Sequence, residues 1–293
     1  MAISIENLCV EYSDFSLRNI SFKVQDGMIT GIVGANGAGK TTIMKSIMNM
    51  KQPSKGKIDI FGYDNVKDEV KVKNLIGYVP ADNYLHEETM IKNIISGFSI
   101  MYEQWDEEKL NKCLEKLNMP ELAESNKRRK FIKVKELSKG SKVKLMLALA
   151  LAHNPKVLVL DEPTSGLDPI VRKDVLEILR DFVENGENAV LYSSHITTDL
   201  DKVADEVVII DNGVIVEKGR IDELTDKYRV VVGNVSDKKF DNMDIAGSPH
   251  VDGDRKEALV RMTDEQISGN LRIPTIEDMV VFFNGEGKKH GCK

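Results

Sequence analysis

The segment from Gly34 to Thr41 combines glycines, a lysine and a threonine at a spacing that binds phosphate. It reads GANGAGKT, with Gly34, Gly39, Lys40 and Thr41 at the defining positions. Glycines let backbone N–H groups curl around phosphate oxygens at the start of a helix, and the lysine adds a positive charge. The threonine hydroxyl suits Mg²⁺. The segment therefore predicts a nucleoside triphosphate site formed by Gly34, Asn36, Gly37, Gly39, Lys40, Thr41 and Thr42.

A second group of reactive residues follows a continuous apolar run at residues 157–160. Asp161 and Glu162 come directly after that run. We expect Asp161 to hold hydrated Mg²⁺ and Glu162 to act as the general base for an attacking water. An acidic pair after a strand is common by itself, so this prediction depends on its combination with the glycine-rich segment.

These residues must be brought together by a sheet, and the order of apolar runs predicts one. Strands and helices alternate along most of the first 220 residues, which indicates an α/β core with a parallel sheet and an antiparallel edge near the N-terminus. The predicted strands are 3–12, 21–24, 28–33, 57–61, 75–79, 157–160, 189–192 and a hairpin at 207–216. The predicted helices begin at Lys40 and Trp105 and span 139–153, 171–182 and 199–203.

Two further regions differ in pattern from this core. Residues 83–137 read as a helical insertion, with Leu110, Cys113, Leu114 and Leu117 on the apolar side of one helix. We expect Cys113 to pack as a small apolar residue. Beyond residue 220 polar loops predominate, with weak strands at 229–232 and 258–262 and a helix at 275–283. The sequence thus predicts a nucleotide-binding domain at 1–220 and a small α+β subdomain at 221–293.

Together these motifs resemble the ATP-binding cassette (ABC) family of P-loop NTPases, over roughly residues 3–219. The segment LSKGS at 137–141 stands where that family has its signature, SGLD at 165–168 matches its D-loop, and His195 matches its switch histidine. The resemblance implies an ATPase that binds ATP and Mg²⁺, with Glu162 and His195 as catalytic residues. It further implies nucleotide contacts by Ser138, Gly140 and Asp168, and stacking of Tyr12 on adenine.

The match occurs once, and this bears on the expected partners. In the family, ATP lies between two such domains, so the resemblance implies a dimer with a second copy or with a paralogous ATPase subunit. It also implies separate transmembrane permease subunits and a cytoplasmic position on the inner face of the cell membrane. The helix at Trp105 and the end segment PTIED at 274–278 look like ATPases of ABC-2 type exporters, of the YtrB-like or phenol-soluble-modulin type. Such exporters carry peptide, antimicrobial or lipid-like cargo.

The sequence departs from the family pattern at two places. Lys139 and Ser141 replace Gly and Gln in the signature, and if the signature applies, Lys139 faces the γ-phosphate held by the partner. Ala81 stands where a Gln is expected. A methyl group cannot bind Mg²⁺, so the neighbouring Asp82 is a candidate ligand. Asp82 equally fits a turn cap, and both roles stay open.

Composition excludes several classes of protein. Of 293 residues, 41 are basic and 47 acidic, for a net charge of −6, so no global positive field attracts nucleic acid. The local basic run at 127–130 reads as a solvated surface or a contact with a membrane subunit or lipid, and we expect no nucleic acid partner. Cys9, Cys113 and Cys292 show no metal-binding spacing.

The alternatives to a transporter subunit are a soluble ABC ATPase and a regulatory module with low turnover.

Overall fold

The computed structural model describes residues 1–82, 84–123, 131–237, 240–241, 243–262 and 270–284. The strands in these residues are β1 (Ile3–Glu11), β2 (Ser16–Val24), β3 (Ile29–Val33), β4 (Lys55–Ile60), β5 (Tyr63–Asp64), β6 (Ile76–Val79), β7 (Val157–Asp161), β8 (Ala189–Ser194), β9 (Glu206–Asp211), β10 (Val214–Arg220), β11 (Tyr228–Asn234), β12 (Ile245–Asp252), β13 (Arg255–Arg261) and β14 (Asn270–Arg272). The α-helices are α1 (Lys40–Ile47), α2 (Glu69–Leu75), α3 (Ile91–Met101), α4 (Glu107–Lys116), α5 (Lys139–Ala152), α6 (Pro169–Val183), α7 (Thr197–Val203), α8 (Ile221–Lys227) and α9 (Ile276–Phe283).

A mostly parallel sheet of six strands forms the centre of the chain, in the order β10-β9-β3-β8-β7-β6. Every residue of β3 and of β7 is buried, as expected for parallel strands that are covered on both faces. Since β3, β8 and β7 are parallel neighbours, their carboxyl ends lie at one edge. That edge is where ligands bind in sheets of this kind, and it brings together the loops after Val33, Asp161 and Ser194. The predicted α/β fold is confirmed.

A second, antiparallel sheet of order β2-β1-β4-β5 packs near the first. Helix α1 buries Ile43, Met44 and Ile47 in the apolar cluster that the two sheets share. The sequence prediction started β2 too late, at residue 21, because the register of β1 against β2 shifts and Asn19 has a positive φ of 52°. The irregularity breaks the alternation that marks a strand.

The helical insertion consists of α3, α4 and short 3₁₀ turns that pack against α5. Its predicted helix α4 begins after Asp106, whose side chain accepts a hydrogen bond from the Lys109 N–H at 2.9 Å. Leu110 and Leu114 are fully buried, and Cys113 is half-buried against the same cluster. Burial raises the pKa of the Cys113 thiol, so it behaves as the apolar packing residue that was expected.

The last described residues form a four-stranded antiparallel sheet of order β12-β13-β11-β14, which α9 covers. Thr275 and Asp278 cap α9 reciprocally. Ile276 contributes to the main apolar cluster, and its N–H donates to Asp201 of α7 at 3.3 Å. This region therefore packs on the core, while the domain boundary at residue 220 stays a prediction.

No helix in the described part of the chain is long and apolar enough to cross a membrane. The basic run at 127–130 and Cys292 lie outside the described residues.

Candidate functional site

The glycine-rich loop links β3 to α1 and approaches other backbone closely. A Cβ on Gly34 would lie 2.2 Å from the carbonyl oxygen of Ile210 in β9, so only glycine fits there. Gly39 directly precedes α1 with φ of 116°, and a Cβ on it would lie 2.4 Å from the side chain of Leu17. These two positions explain why this loop needs glycine to pass between two strands and enter the helix.

Lys40 is almost fully buried at the start of α1, with 6% of its surface exposed. Its Nζ donates to the carbonyl oxygens of Gly34 at 2.8 Å and Ala35 at 3.3 Å. The same Nζ lies 3.3 Å from Oε1 of Glu162. The loop thus holds a positive charge at its centre, and Glu162 is its anionic partner.

Glu162 is held in an unusual backbone conformation beside His195. Its φ is 51°, a left-handed value that non-glycine residues rarely adopt. Its N–H donates to the carbonyl oxygen of Ser193 at 3.1 Å and to Ser193 Oγ at 3.0 Å. Its Oε2 lies 2.5 Å from His195 Nδ1 and accepts from the His195 N–H at 3.2 Å. Such strain often accompanies functional geometry, and here it places the carboxylate between a lysine and a histidine.

Ser193 connects the two acidic residues, and the sequence did not reveal this role. Ser193 is fully buried at the end of β8, and its hydroxyl donates to Oδ1 of Asp161 at 2.6 Å. Because the same Oγ accepts from the N–H of Glu162, one hydroxyl fixes both residues. Only the parallel pairing of β7 with β8 places Asp161 opposite Ser193.

A buried polar cluster braces the loop after Glu162. Thr164 Oγ1 donates to Oδ2 of the fully buried Asp199 at 2.8 Å and lies 2.6 Å from the Tyr192 hydroxyl. Among the described residues, Oδ1 of Asp199 has no hydrogen-bond partner, and Arg172 Nη1 lies 3.6 Å from it. Arg172 also donates to the carbonyl oxygen of Leu167 at 3.4 Å. The cluster links the segments that carry Glu162, His195 and the 165–168 loop.

These elements surround a cavity of about 850 Å³. Most of the predicted phosphate-binding residues line it, and Gly34 contributes through its carbonyl contact with Lys40. Its lining comprises Asp14, Phe15, Asn36, Gly37, Gly39, Lys40, Thr41, Thr42, Ala81, Asp82, Lys139, Glu162, Ser165 and His195.

The aromatic residue in this wall is Phe15, which no motif in the sequence indicates. Tyr12 does not line the cavity; its ring is 44% exposed, with Lys51 Nζ 4.2 Å from the ring centroid. The Phe15 and Tyr12 ring centroids are 6.5 Å apart across the β1–β2 turn. Stacking by Tyr12 stays a prediction, and Phe15 is a second candidate for the same role.

The candidate Mg²⁺ ligands converge where the cavity meets a more apolar groove of about 580 Å³. Thr41, Asp82 and Asp161 all line this groove, and Thr41 and Asp82 also line the cavity. Their oxygen atoms are the kind of donor that Mg²⁺ prefers. Whether Asp82 binds the metal or caps the turn stays a prediction, since both roles suit its place in the cavity wall. The three side chains fit a hydrated Mg²⁺ ion.

Ser138, Gly140 and Asp168 do not line the cavity of their own chain. Ser138 caps α5, where its Oγ accepts from the Ser141 N–H at 3.1 Å. Asp168 caps α6 and accepts from the N–H groups of Ile170 and Val171. A nucleotide contact by these three residues therefore stays a prediction that needs a second chain. Lys139, by contrast, does line its own chain's cavity.

Comparison with known proteins agrees with this geometry. The sequence profile of the ABC transporter family matches residues 17–165. The chain is 34% identical to the uncharacterized ABC transporter ATP-binding protein YxlF of Bacillus subtilis, covering 81% of this chain and 77% of that protein. It is 29% identical to YtrB, an ABC transporter ATP-binding protein of the same organism, over 72% and 69%. It is 30% identical to the methionine import ATP-binding protein MetN of Lactobacillus acidophilus, over 73% and 64%.

Solved structures show the same fold. The structure of an ATP-binding subunit of an ABC transporter superposes with a TM-score of 0.69 at 27% identity, covering 76% of this chain and 92% of that one.

Proposed function

The chain belongs to the ATP-binding subunits of ABC transporters, which hydrolyse ATP to drive transport, and we propose that it serves an ABC-2 type exporter as an ATP-sandwich dimer. The dimer would form from two copies or with a paralogous subunit. It would dock on separate transmembrane subunits at the cytoplasmic face of the cell membrane. Peptide, antimicrobial or lipid-like molecules are the expected cargo.

One observation carries the catalytic part of the proposal, the contact of Glu162 with both Lys40 and His195. Phosphates that enter the loop compete for Lys40, which leaves Glu162 free to accept a proton from water. The water oxygen then attacks the γ-phosphorus and the bond to the bridging oxygen breaks, giving ADP and phosphate. His195 holds the carboxylate in place and can donate to a phosphate oxygen.

The metal part of the proposal rests on Thr41, Asp161 and Asp82. These residues would hold Mg²⁺, which neutralises charge that develops on the phosphates when it is bound. Ser193 keeps the Asp161 carboxylate oriented through its hydrogen bond at 2.6 Å. Tyr78 lines the same groove, and burial near Asp161 raises the pKa of its hydroxyl to about 12, so that hydroxyl stays protonated.

The proposed dimer is supported by predicted nucleotide-binding residues that do not line the cavity of their own chain. Ser138 and Gly140 open α5, and a helix N-terminus attracts negative charge. Because these residues do not line their own cavity, they are available to close the cavity of a second chain. Substitution of Glu162 by Gln should then give an ATP-dependent dimer on size exclusion that ADP does not support. Monomers in both conditions would contradict the sandwich.

The groove of about 580 Å³ is our candidate contact for a transmembrane subunit. It is lined by Tyr84, Met101 and Met50, which are 51%, 73% and 61% exposed. Exposed apolar side chains around one groove mark a protein contact. Co-purification of the chain with membrane proteins from detergent extracts tests this docking, and an acidic substitution at Met101 should reduce it.

A regulatory module with low turnover is the second candidate, and Ala81 favours it. Ala81 lies in the cavity wall, and its methyl side chain offers no polar atom to water or metal. A turnover assay separates the two candidates. An exporter subunit should hydrolyse ATP steadily and lose this activity in Lys40→Ala, whereas a regulatory module should bind ATP with little hydrolysis in either form.

A further inference from the structure

The turn between β9 and β10 is hydrogen-bonded to the glycine-rich loop. Its two residues, Asn212 and Gly213, have positive φ values of 45° and 78°, which suit a two-residue hairpin turn. The N–H of Gly213 donates to the carbonyl oxygen of Ala38 at 3.1 Å. Ala38 is buried and stands two residues before Lys40. A distant part of the sequence therefore contacts the backbone of the phosphate loop directly.

This hydrogen bond fixes the peptide unit between Ala38 and Gly39. A peptide unit is planar and trans, so its C=O and N–H groups point in opposite directions. When the Ala38 carbonyl is held by the turn, the N–H of Gly39 is directed away from the turn. Gly39 lines the cavity of about 850 Å³, and the N–H groups of such a loop bind phosphate oxygens. The turn thus controls the direction of a phosphate-binding group.

Arg18 of β2 holds the turn in place. Its backbone N–H donates to the carbonyl oxygen of Gly213 at 2.8 Å, and its Nη2 donates to the carbonyl oxygen of Asn212 at 2.8 Å. The side chain is half-buried. A charged donor makes a stronger hydrogen bond than a neutral one. Arg18, the turn and Ala38 therefore form one continuous series of hydrogen bonds that ends at the phosphate loop.

The hairpin and the loop also approach each other too closely to move independently. A Cβ on Gly213 would lie 1.9 Å from the carbonyl oxygen of Ser16 and 3.4 Å from the ring of Phe15. At the start of the loop, a Cβ on Gly34 would lie 2.2 Å from the carbonyl oxygen of Ile210 in β9. Because the backbones touch at both places, a displaced hairpin would displace the loop.

We propose that Arg18 is a positioning residue for ATP binding, which acts through the β9–β10 turn to hold the Gly39 N–H in the direction of the phosphates. This inference rests on the proposed ATP site. Arg18 does not line the cavity, so it acts on the nucleotide through the loop. Loss of its guanidinium releases the turn, and the loop then has to be ordered when the nucleotide binds.

The first test is the Kd for ATP of the full chain, measured together with kcat. Arg18→Met keeps most of the apolar stem but removes the donors, and it should raise the Kd about fivefold, equivalent to about 1 kcal/mol. The kcat at saturating ATP should stay within about twofold of the parent value. Arg18→Lys should restore most of the affinity, because a charged donor remains. Arg229→Met is the matched control, since this half-buried arginine also donates to a backbone carbonyl, that of Tyr228 at 2.7 Å, and its Kd should equal that of the parent.

A second pair of variants tests the turn itself. Gly213→Ala forces the turn away from Ser16 and should raise the Kd for ATP more than Arg18→Met does. Gly253→Ala is its control, because Gly253 stands in the β12–β13 turn with φ of 56° and none of the described atoms lies within 4 Å of its would-be Cβ. Both alanines carry the strain of a positive φ, but Gly253→Ala should leave the Kd unchanged. If Gly213→Ala does not fold, Arg18→Met decides the question.

Hydrogen exchange separates positioning from general stability. In nucleotide-free Arg18→Met, a peptide that spans residues 34–47 should exchange faster than in the parent, while a peptide from β7 keeps its protection. Equal loss of protection in both peptides would overturn the inference, and so would an unchanged Kd for ATP in Arg18→Met. Absence of ATP binding by the parent chain would instead refute the proposed ATP site itself.

Discussion

Replacing Thr164 by valine should destabilise the chain strongly, because Thr164 donates the shorter of the two hydrogen bonds that reach Oδ2 of the buried Asp199. Asp199 is fully buried, and Thr164 Oγ1 donates to its Oδ2 at 2.8 Å. Valine has nearly the same shape but no hydroxyl. Of the contacts within the described part of the chain, Oδ2 then keeps the Tyr192 hydroxyl at 3.5 Å, and Oδ1 keeps Arg172 at 3.6 Å.

The size of the effect follows from what is left unpaired. A buried acceptor without its donor costs about 1–3 kcal/mol, and a charged acceptor lies at the upper end. We therefore expect Thr164→Val to lower the free energy of unfolding by about 2–3 kcal/mol. Thr164→Ser keeps the hydroxyl and loses one methyl group, which costs about 1 kcal/mol at most.

Urea denaturation of the nucleotide-free protein measures the free energy of unfolding of both variants. The slope m should be the same in both variants and in the parent, so that the comparison reports stability alone. Thr164 also lies two residues after Glu162, so kcat should fall in Thr164→Val more than in Thr164→Ser. Equal stability of the two variants would refute the reasoning, because it would mean that the hydroxyl does not support Asp199.

Three further predictions concern the wall of the site and the groove beside it. Phe15→Ala should raise the KM for ATP more than Tyr12→Ala does, because Phe15 lines the cavity and loss of a stacking face costs about 1–3 kcal/mol. Steady-state kinetics at saturating Mg²⁺ compares the two variants, and a larger effect of Tyr12→Ala would assign the adenine contact to Tyr12. Asp82→Ala should need more Mg²⁺ for half-maximal hydrolysis, with little change in thermal unfolding without nucleotide; lost stability at unaltered Mg²⁺ demand would favour a turn cap instead. Burial lowers the pKa of His153, so its folded-state pKa lies below its unfolded value of about 6.5. The neutral ring therefore favours the folded state above that pH, and this contribution to stability should decline as the pH falls below it. His153→Gln should flatten the pH dependence of the free energy of unfolding, measured with urea, between about pH 7 and 5. An equally steep dependence in the variant would exclude this histidine as its source.

The nucleotide site could be predicted in large part because its signals are local. The glycine-rich segment joins a strand to a helix, and the acidic pair ends a buried strand, so sequence order alone places Lys40 and Glu162 at one sheet edge. Parallel pairing of β3, β8 and β7 then brings the two loops together. Two short segments of the sequence were therefore sufficient to predict most of the nucleotide site.

The rest depends on contacts between distant segments. Ser193 and Asp199 act through hydrogen bonds to residues about 30 positions away, and no spacing rule indicates such partners. Phe15 enters the cavity wall because the β1–β2 turn lies against Gly39. These features follow from packing, which the sequence pattern did not resolve.

Three of the described helices were also missed, α2, α3 and α8, and the first two have a local reason. Helix α2 (Glu69–Leu75) is short and buries Val72 alone, so its apolar periodicity is weak. Helix α3 (Ile91–Met101) contains Gly97 and leaves Ile100 and Met101 exposed, which hides its inward face. Tertiary contacts stabilise both helices where intrinsic propensity is modest.

The most direct test of the account is the rate of phosphate release by Glu162→Gln, measured together with its Kd for ATP. Glutamine keeps the shape of the side chain but cannot accept the proton of water. We expect turnover to fall by about 10²–10⁴-fold while ATP affinity stays within a few-fold of the parent value. Turnover near that of the parent would contradict the central claim that Glu162, held between Lys40 and His195, is the general base.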